Sequence, residues 1–188
     1  MIKIFFSAIV LFAAFSGIAQ TKKIEFKSGV EADYTVYPEG QVVPMTLKFD
    51  SISRSFVGIS WNTYTGNGGR YILTETSLEK ATEGFWGPPQ FGIEITLLDS
   101  QTLLLFPKIK FQELRQKRQV AFDGVLYELK DSPSGNTFVI NGKSVDALYL
   151  EGKQSSAKLW LLNNPDFPLM LKMQNNPAAL DFEINDIK

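Results

Sequence analysis

The segment 43–49 reads VPMTLKF and alternates apolar side chains with others at every step. Its apolar members are Val43, Met45, Leu47 and Phe49. Successive side chains of a β-strand point to opposite faces of the sheet, so this alternation predicts a strand with one buried face. A slip of one residue would turn all four apolar side chains toward water, so the pattern also determines the pairing register.

The same two-residue period recurs in VGISW (57–61), FGIEITL (91–97), VLYEL (125–129) and LDFEI (180–184). Turn sequences separate the strands, and Asn67-Gly68-Gly69 and Asn141-Gly142 favour tight hairpins because Asn and Gly accept positive φ. Helical patterns are confined to residues 77–82 and 112–119. We therefore predict an all-β, mainly antiparallel fold, a sandwich or an open or half-closed barrel of about ten strands with little helix.

Two stretches are apolar at every position, LLLF (103–106) and LWLL (159–162). In a strand, such a run predicts burial on both faces. The second face then needs a cover, which is the opposite wall of the fold, a short helix or a bound apolar ligand.

The first nineteen residues have the pattern of a cleavable secretory signal. A basic start at Lys3 precedes the apolar run 4–15, and small residues at Gly17 and Ala19 suit cleavage after Ala19. The run is shorter than the roughly 20 apolar residues of a membrane-spanning helix. We predict a signal peptide over 1–19, a single β-rich domain over 20–188, and a location in the periplasm or outside the cell.

Composition excludes several kinds of chemistry. The chain has no cysteine and no histidine, which removes thiol and Ser-His-Asp catalysis, disulfides, a lipidated cysteine and the commonest transition-metal ligands. Its 19 basic and 20 acidic residues give no electrostatic reason to expect a nucleic acid. We predict no catalytic residue, no metal and no cofactor, and we do not expect an integral membrane protein built of helices.

The segment 84–91 reads GFWGPPQF and combines aromatic rings with glycines and prolines that prevent a regular strand. Rings on such a loop either close one end of the core or form a lip that stacks on a ligand. We predict a ligand site at Phe85, Trp86 and Phe91, together with Trp160 from the second doubly apolar run.

The C-terminal third carries a hairpin TFVINGK (137–143), a tryptophan strand LWLLNN (159–164), the segment DFPLMLKM (166–173) and a terminal strand ending INDI (184–187). This pattern resembles exported Gram-negative proteins of a domain-of-unknown-function class whose open β-barrel is similar to the lipoprotein-carrier fold. The resemblance implies a half-closed barrel with an apolar inner face. It transfers no functional residue.

These features favour a non-enzymatic exported β-domain that binds an apolar or extended ligand, such as a lipid chain or a segment of a cell-envelope protein. One alternative is a carboxylate-dependent hydrolase acting on glycans, with Glu75 and Glu94 as its acids. Another is an eight-stranded outer-membrane barrel, which the chain length permits.

Overall fold

A computed structural model describes residues 24–87, 90–133 and 137–188; the predicted signal segment 1–19 and the prolines of the aromatic loop, Pro88 and Pro89, lie outside these residues. Within the described ranges the chain forms fourteen strands and two helices: β1 (Val30–Pro38), β2 (Val43–Ile52), β3 (Phe56–Thr63), β4 (Gly68–Thr74), α1 (Glu75–Lys80), β5 (Glu83–Gly84), β6 (Glu94–Thr96), β7 (Gln101–Thr102), α2 (Lys108–Lys117), β8 (Gln119–Phe122), β9 (Val125–Lys130), β10 (Thr137–Ile140), β11 (Lys143–Gly152), β12 (Lys158–Leu162), β13 (Met170–Gln174) and β14 (Leu180–Ile187).

Twelve of the strands form one large sheet in the order β6-β4-β3-β2-β1-β14-β13-β12-β11-β9-β8, with β10 also paired to β11. Neighbours are antiparallel except for β4 and β6, which run parallel, so the sheet is mixed. The prediction of a mostly β chain is confirmed. The sheet does not close on itself, so neither a barrel of ten strands nor one of eight is confirmed.

The pairing register gives the sheet an apolar inner face and a polar outer face. One inner row crosses seven strands through directly paired residues: Leu129, Leu150, Leu159, Met173, Phe182, Val36 and Val43. The adjacent outer row crosses the same strands through Lys130, Tyr149, Trp160, Lys172, Glu183, Thr35 and Pro44. The predicted alternation is therefore real, because each one-residue step along a strand moves from the first row to the second.

Part of the inner face is covered by α2 and by the segment that precedes it. The side chains of Phe106, Phe111, Leu114 and Phe122 are each at most 3% exposed, and the rings of Phe106 and Phe122 lie 4.9 Å apart. We call this region, the inner face of β8, β9 and β11–β13 with its cover, the packed half.

The run 103–106 is not the doubly buried strand that its composition predicts. It bends at Leu104, whose φ is 57°, and crosses the interior instead. The Leu104 carbonyl accepts a hydrogen bond from the Met170 amide at 2.7 Å, and Phe106 donates to the Pro168 carbonyl at 2.9 Å. Local composition could not distinguish a strand buried on both faces from a segment that crosses the core, because apolar side chains are needed at every position of both. The second run does form a strand, β12, but it is not buried on both faces, because Trp160 is only half-buried on the outer face.

The strand predicted over 91–97 and the two predicted helices exist, but their bounds differ from the prediction. In the segment 91–97 only β6 is a strand, and Phe91 and Ile93 are exposed at 58% and 45% because Gly92, with φ 73°, turns the chain before the strand begins. The two helices exist but begin earlier than predicted; α1 starts after Thr74, whose hydroxyl accepts from the Ser77 amide at 3.1 Å.

Candidate functional site

An apolar cavity of about 430 Å³ lies on the inner face of the sheet, beside the packed half. One wall comes from β1–β4 and β14, and the other from the segments 85–87 and 103–104. This volume is within the range of pockets that enclose small organic ligands. The cavity is therefore the strongest candidate site in the part of the chain that the structure describes.

The cavity is unfilled although its walls are apolar. Eight of its apolar wall residues are only half-buried: Val36, Pro38, Val43, Met45, Phe85, Trp86, Leu103 and Leu180. The inner row of the sheet runs from the packed half into this wall, since it ends in Phe182, Val36 and Val43. The same face is thus filled at one end and hollow at the other.

Trp86 forms part of the roof and is held in a fixed position. Its indole Nε1 donates to Asp123 Oδ2 at 2.5 Å, and Asp123 Oδ1 also accepts from the Gly84 amide at 3.3 Å. A Cβ atom at Gly84 would overlap the indole, so the close approach requires glycine there. On the cavity side the Trp86 ring lies 6.0 Å from the ring of Phe182.

The polar groups of the wall are few. The Tyr34 hydroxyl donates to the Met170 carbonyl at 2.9 Å, and burial raises the pKa of this phenol. Burial also raises the pKa of Tyr71, with a backbone hydrogen bond from Gln90 acting in the opposite direction. Both phenols therefore remain neutral at physiological pH and supply no charge to the cavity.

Trp61 is another wall residue with a polar atom, and its indole Nε1 is buried without a hydrogen-bond partner among the described residues. The indole is 3% exposed and lies between two aromatic rings, with centroid distances of 6.4 Å to Tyr71 and 5.6 Å to Phe91. Its cross-strand partner is Gly69, and a Cβ atom there would lie only 3.0 Å from Nε1 and 2.7 Å from the Gln90 carbonyl oxygen, so this close packing requires glycine.

The four predicted ligand-site residues do not come together. Phe85 and Trp86 belong to the cavity wall. Phe91 lies outside the wall, exposed and in contact with Trp61. Trp160 is on the outer face, with its ring 4.7 Å from that of Tyr149 and 5.6 Å from Lys172 Nζ.

Sequence reasoning did not identify most of the wall. Tyr34 and Val36 belong to β1, a strand that we did not predict although Val30, Ala32, Tyr34 and Val36 alternate. The signal was present but weak, because the stretch 34–37 (YTVY) favours a strand at every position and hides which face is buried.

The acids of the hydrolase alternative lie away from the cavity. Glu75 is exposed, and Glu94 forms an ion pair with Arg70 at 2.5 Å. Glu39, at the β1–β2 turn, is the one carboxylate in the wall as described. A glycosidase needs two carboxylates roughly 5–10 Å apart across its cleft, and the described wall does not supply the second. The described residues also include no group of three or more acidic side chains placed to hold a metal ion.

Four connecting segments lie at the end of the sheet where the cavity is lined by residues within 38–43 and 178–180, and we call them the rim: 38–43, 63–69, 90–93 and 175–180. Antiparallel pairing brings the first, second and fourth to one end of the sheet, and the Gly92 amide joins the third to the Gly68 carbonyl at 2.7 Å. Glu39 is the single charged residue in the rim. Val42, Tyr64 and Phe91 are exposed there at 67%, 81% and 58%.

No family model matches the chain, no curated protein matches it, and no solved structure matches it. Within residues 24–87, 90–133 and 137–188, the structure contains no helix with the length and apolarity needed to cross a membrane.

Proposed function

We propose that this protein is a non-enzymatic exported binding protein whose cavity takes up an apolar ligand, specifically the hydrocarbon chain of a lipid. The observation that carries the proposal is the unfilled apolar space beside a fully packed half. Sites for small organic ligands are typically concave, mostly apolar and of about 300–1,000 Å³. An open hollow of about 430 Å³ walled by apolar side chains has the size and the lining of such a site.

The rim supports the same proposal. An acyl chain that enters the cavity must pass its mouth, and charged side chains there would have to lose water as it does so. The rim avoids this cost because Glu39 is its single charge and Val42 and Tyr64 are exposed beside it.

Export and the carrier-like architecture belong to the proposal as well. The predicted signal over 1–19 would direct the chain to the periplasm or the exterior, where lipids and cell-envelope proteins are the available partners. An open sheet with an apolar inner face is the architecture that the resemblance to the lipoprotein-carrier fold implies.

The test combines extraction of bound lipid with a blocked cavity. Protein purified without detergent is analysed by native mass spectrometry, and binding of a pyrene-labelled long-chain acyl probe is titrated. Met45→Trp places a large ring in the cavity, whereas Lys48→Trp places the same ring on the exposed outer face of the same strand.

We expect Met45→Trp to weaken probe binding by at least about tenfold, which corresponds to about 1.4 kcal/mol, while Lys48→Trp binds as the wild type does. Equal binding by all three proteins, or a wild type that carries no lipid and binds no probe, would refute the proposal. Circular dichroism of both variants confirms that each is folded.

A further inference from the structure

The rim concentrates exposed apolar side chains at one end of the sheet. Among the described residues nine large apolar side chains are exposed, and four of them lie in the rim: Val42, Tyr64, Phe91 and Ile93. The apolar residues 177–179 are exposed in its last segment. Glu39 is the one charged residue of all four segments. Clustered apolar side chains on a protein surface mark contacts with proteins or membranes.

The opposite end of the same sheet is charged. Lys27 precedes β1, Arg54 lies in the β2–β3 turn, and Lys188 follows β14; all three are exposed. The antiparallel pairing of β1 with β2 and β14, and of β2 with β3, places these residues at the end away from the rim. The same strands join both ends, so the low charge is specific to the end that the cavity reaches.

The apolar surface of the rim continues into the cavity. Val42 is exposed and its neighbour Val43 lines the cavity, while Ala178 is exposed and also lines the cavity. The turn that carries Ala178 is held by Asn176, whose side chain accepts from the Ala178 amide at 3.0 Å and donates to the Leu180 carbonyl at 3.0 Å. A chain that leaves the cavity here therefore passes directly onto the rim.

We propose that the rim docks on the surface of a zwitterionic lipid bilayer, and that an acyl chain passes directly between this bilayer and the cavity. The inference rests on the proposed function and adds the partner from which the ligand comes. Each CH₂ group exposed to water costs about 0.8 kcal/mol. Release of a long chain into water is therefore slow, and contact between the rim and the bilayer avoids that step.

The composition of the rim favours a bilayer over a protein partner. Its apolar side chains alternate with exposed polar ones, such as Gln41, Thr65 and Asn67. A protein interface would have to give each of these buried groups a hydrogen-bond partner, whereas the hydrated headgroup region leaves them in contact with water. Tyr64 is 81% exposed, and its apolar ring and polar hydroxyl suit that region. The rim has no lysine or arginine, so attraction to anionic lipid does not drive the docking.

Transfer of the pyrene-labelled acyl probe from the protein to phosphatidylcholine vesicles tests the docking. Val42→Asp places a charge in the rim. Val139→Asp is the matched control, because Val139 is similarly exposed, at 60% against 67% for Val42, and lies on β10 outside the rim. Equilibrium binding of the probe in buffer measures the cavity separately.

We expect the transfer rate of the wild type and of Val139→Asp to rise in proportion to the vesicle concentration, since each transfer needs a collision. Val42→Asp should transfer about tenfold more slowly, which corresponds to about 1.4 kcal/mol, because docking would remove water from its carboxylate. Added salt should leave the wild-type rate unchanged.

Three results would overturn the docking while the proposed function stands. The first is a transfer rate independent of vesicle concentration, which passage through water or delivery to a protein partner predicts. The second is equal slowing by the two variants, and the third is a wild-type rate that salt lowers steeply. A wild type that binds no probe would overturn both proposals.

A second measurement identifies which part of the surface meets the bilayer. Because the chain has no cysteine, Tyr64→Cys and Val139→Cys each create a single site for an environment-sensitive fluorescent label. Vesicles should shift the emission of the label at position 64 to the blue, since it enters less polar surroundings, and leave the label at position 139 unchanged. A shift at both positions, or at neither, contradicts docking through the rim.

Discussion

The two ends of one apolar sheet face differ in what lies over them. In the packed half, α2 and the crossing segment place Phe106, Phe111 and Leu114 against the strands, each at most 3% exposed. Over β1–β4 and β14, α1 and the rings of Phe26 and Phe167 cover one part, and a cavity of about 430 Å³ remains beneath the short segments 85–87 and 103–104.

This difference shows that the cavity does not result from a shortage of apolar side chains in the sheet. The inner row is aliphatic or aromatic on both sides of the boundary between the packed half and the cavity, from Leu150 and Leu159 in the packed half to Phe182 and Val36 in the cavity wall. What changes is the volume supplied by the covering segments. In the roof, the hydrogen bond from Trp86 to Asp123 joins the segment 85–87 to the turn between β8 and β9.

The largest expected effect comes from removing a ring on each side of the boundary. Phe106→Ala should cost about 3–5 kcal/mol of unfolding free energy, because it leaves a void in close-packed surroundings. Phe85→Ala should cost only about 1–2 kcal/mol, since that half-buried ring already borders empty space. Urea unfolding of both variants measures the two values. Equal losses would mean that the two halves are packed alike.

Adding volume should again destabilise the packed half more than the cavity wall, but by a smaller amount. Val120 is 1% exposed, so Val120→Phe should destabilise the protein by about 1–3 kcal/mol through overpacking. Val36→Phe adds the same atoms to the cavity wall and should stay within about 1 kcal/mol of the wild type, because the new ring enters open space. Thermal unfolding of the pair provides the comparison, and a strongly destabilised Val36→Phe would argue against the open cavity.

The smallest effect concerns the outer surface behind the cavity, where Asp50 links β2, β3 and β4. Burial raises the pKa of Asp50, but hydrogen bonds from Ser60 and Arg70 outweigh it, so the net pKa is lowered. A carboxyl whose pKa is depressed on folding contributes stability above its unfolded pKa of about 3.9, and this contribution disappears as the pH falls through the lower folded value.

Asp50→Asn should therefore lose about 1 kcal/mol or less at neutral pH, and the difference from the wild type should disappear in acid, below the lowered folded pKa of Asp50. Chemical unfolding across this pH range measures it. Glu31→Gln, which removes the exposed partner of Lys48 on the same face, is the control and should change stability very little at any pH. A deficit of Asp50→Asn that persists unchanged in acid would show that the charge is not its cause.

Several features of the fold could be predicted from short stretches of sequence. The alternation in β2, β3, β9 and β14 assigned their buried faces, and Asn141-Gly142 predicted the hairpin in which both residues have positive φ, 46° and 72°. These predictions succeed because side-chain direction in a strand and backbone conformation in a turn are local properties. The same reasoning failed for 103–106, where an apolar run crosses the core without forming a strand.

The candidate site was predictable only in part, and for a reason that concerns distance along the chain. Phe85 and Trp86 were found because aromatic rings on a glycine- and proline-rich loop are unusual in themselves. Trp61 and Phe182 gave no such signal, since each is one apolar residue in an ordinary alternating strand. Trp160 was misleading, because its neighbours in sequence are buried while its own side chain lies on the outer face.

The amino-acid sequence by itself determined that the chain forms strands with one apolar face, where the turns between them fall, and that histidine and cysteine chemistry is absent. Only the tertiary structure decided that this face is filled at one end and hollow at the other. Alternation depends on each residue and its immediate neighbours. An unfilled volume depends on segments that lie far apart in the sequence, and on the total side-chain volume that they bring to the same place. No local sequence pattern contains that information.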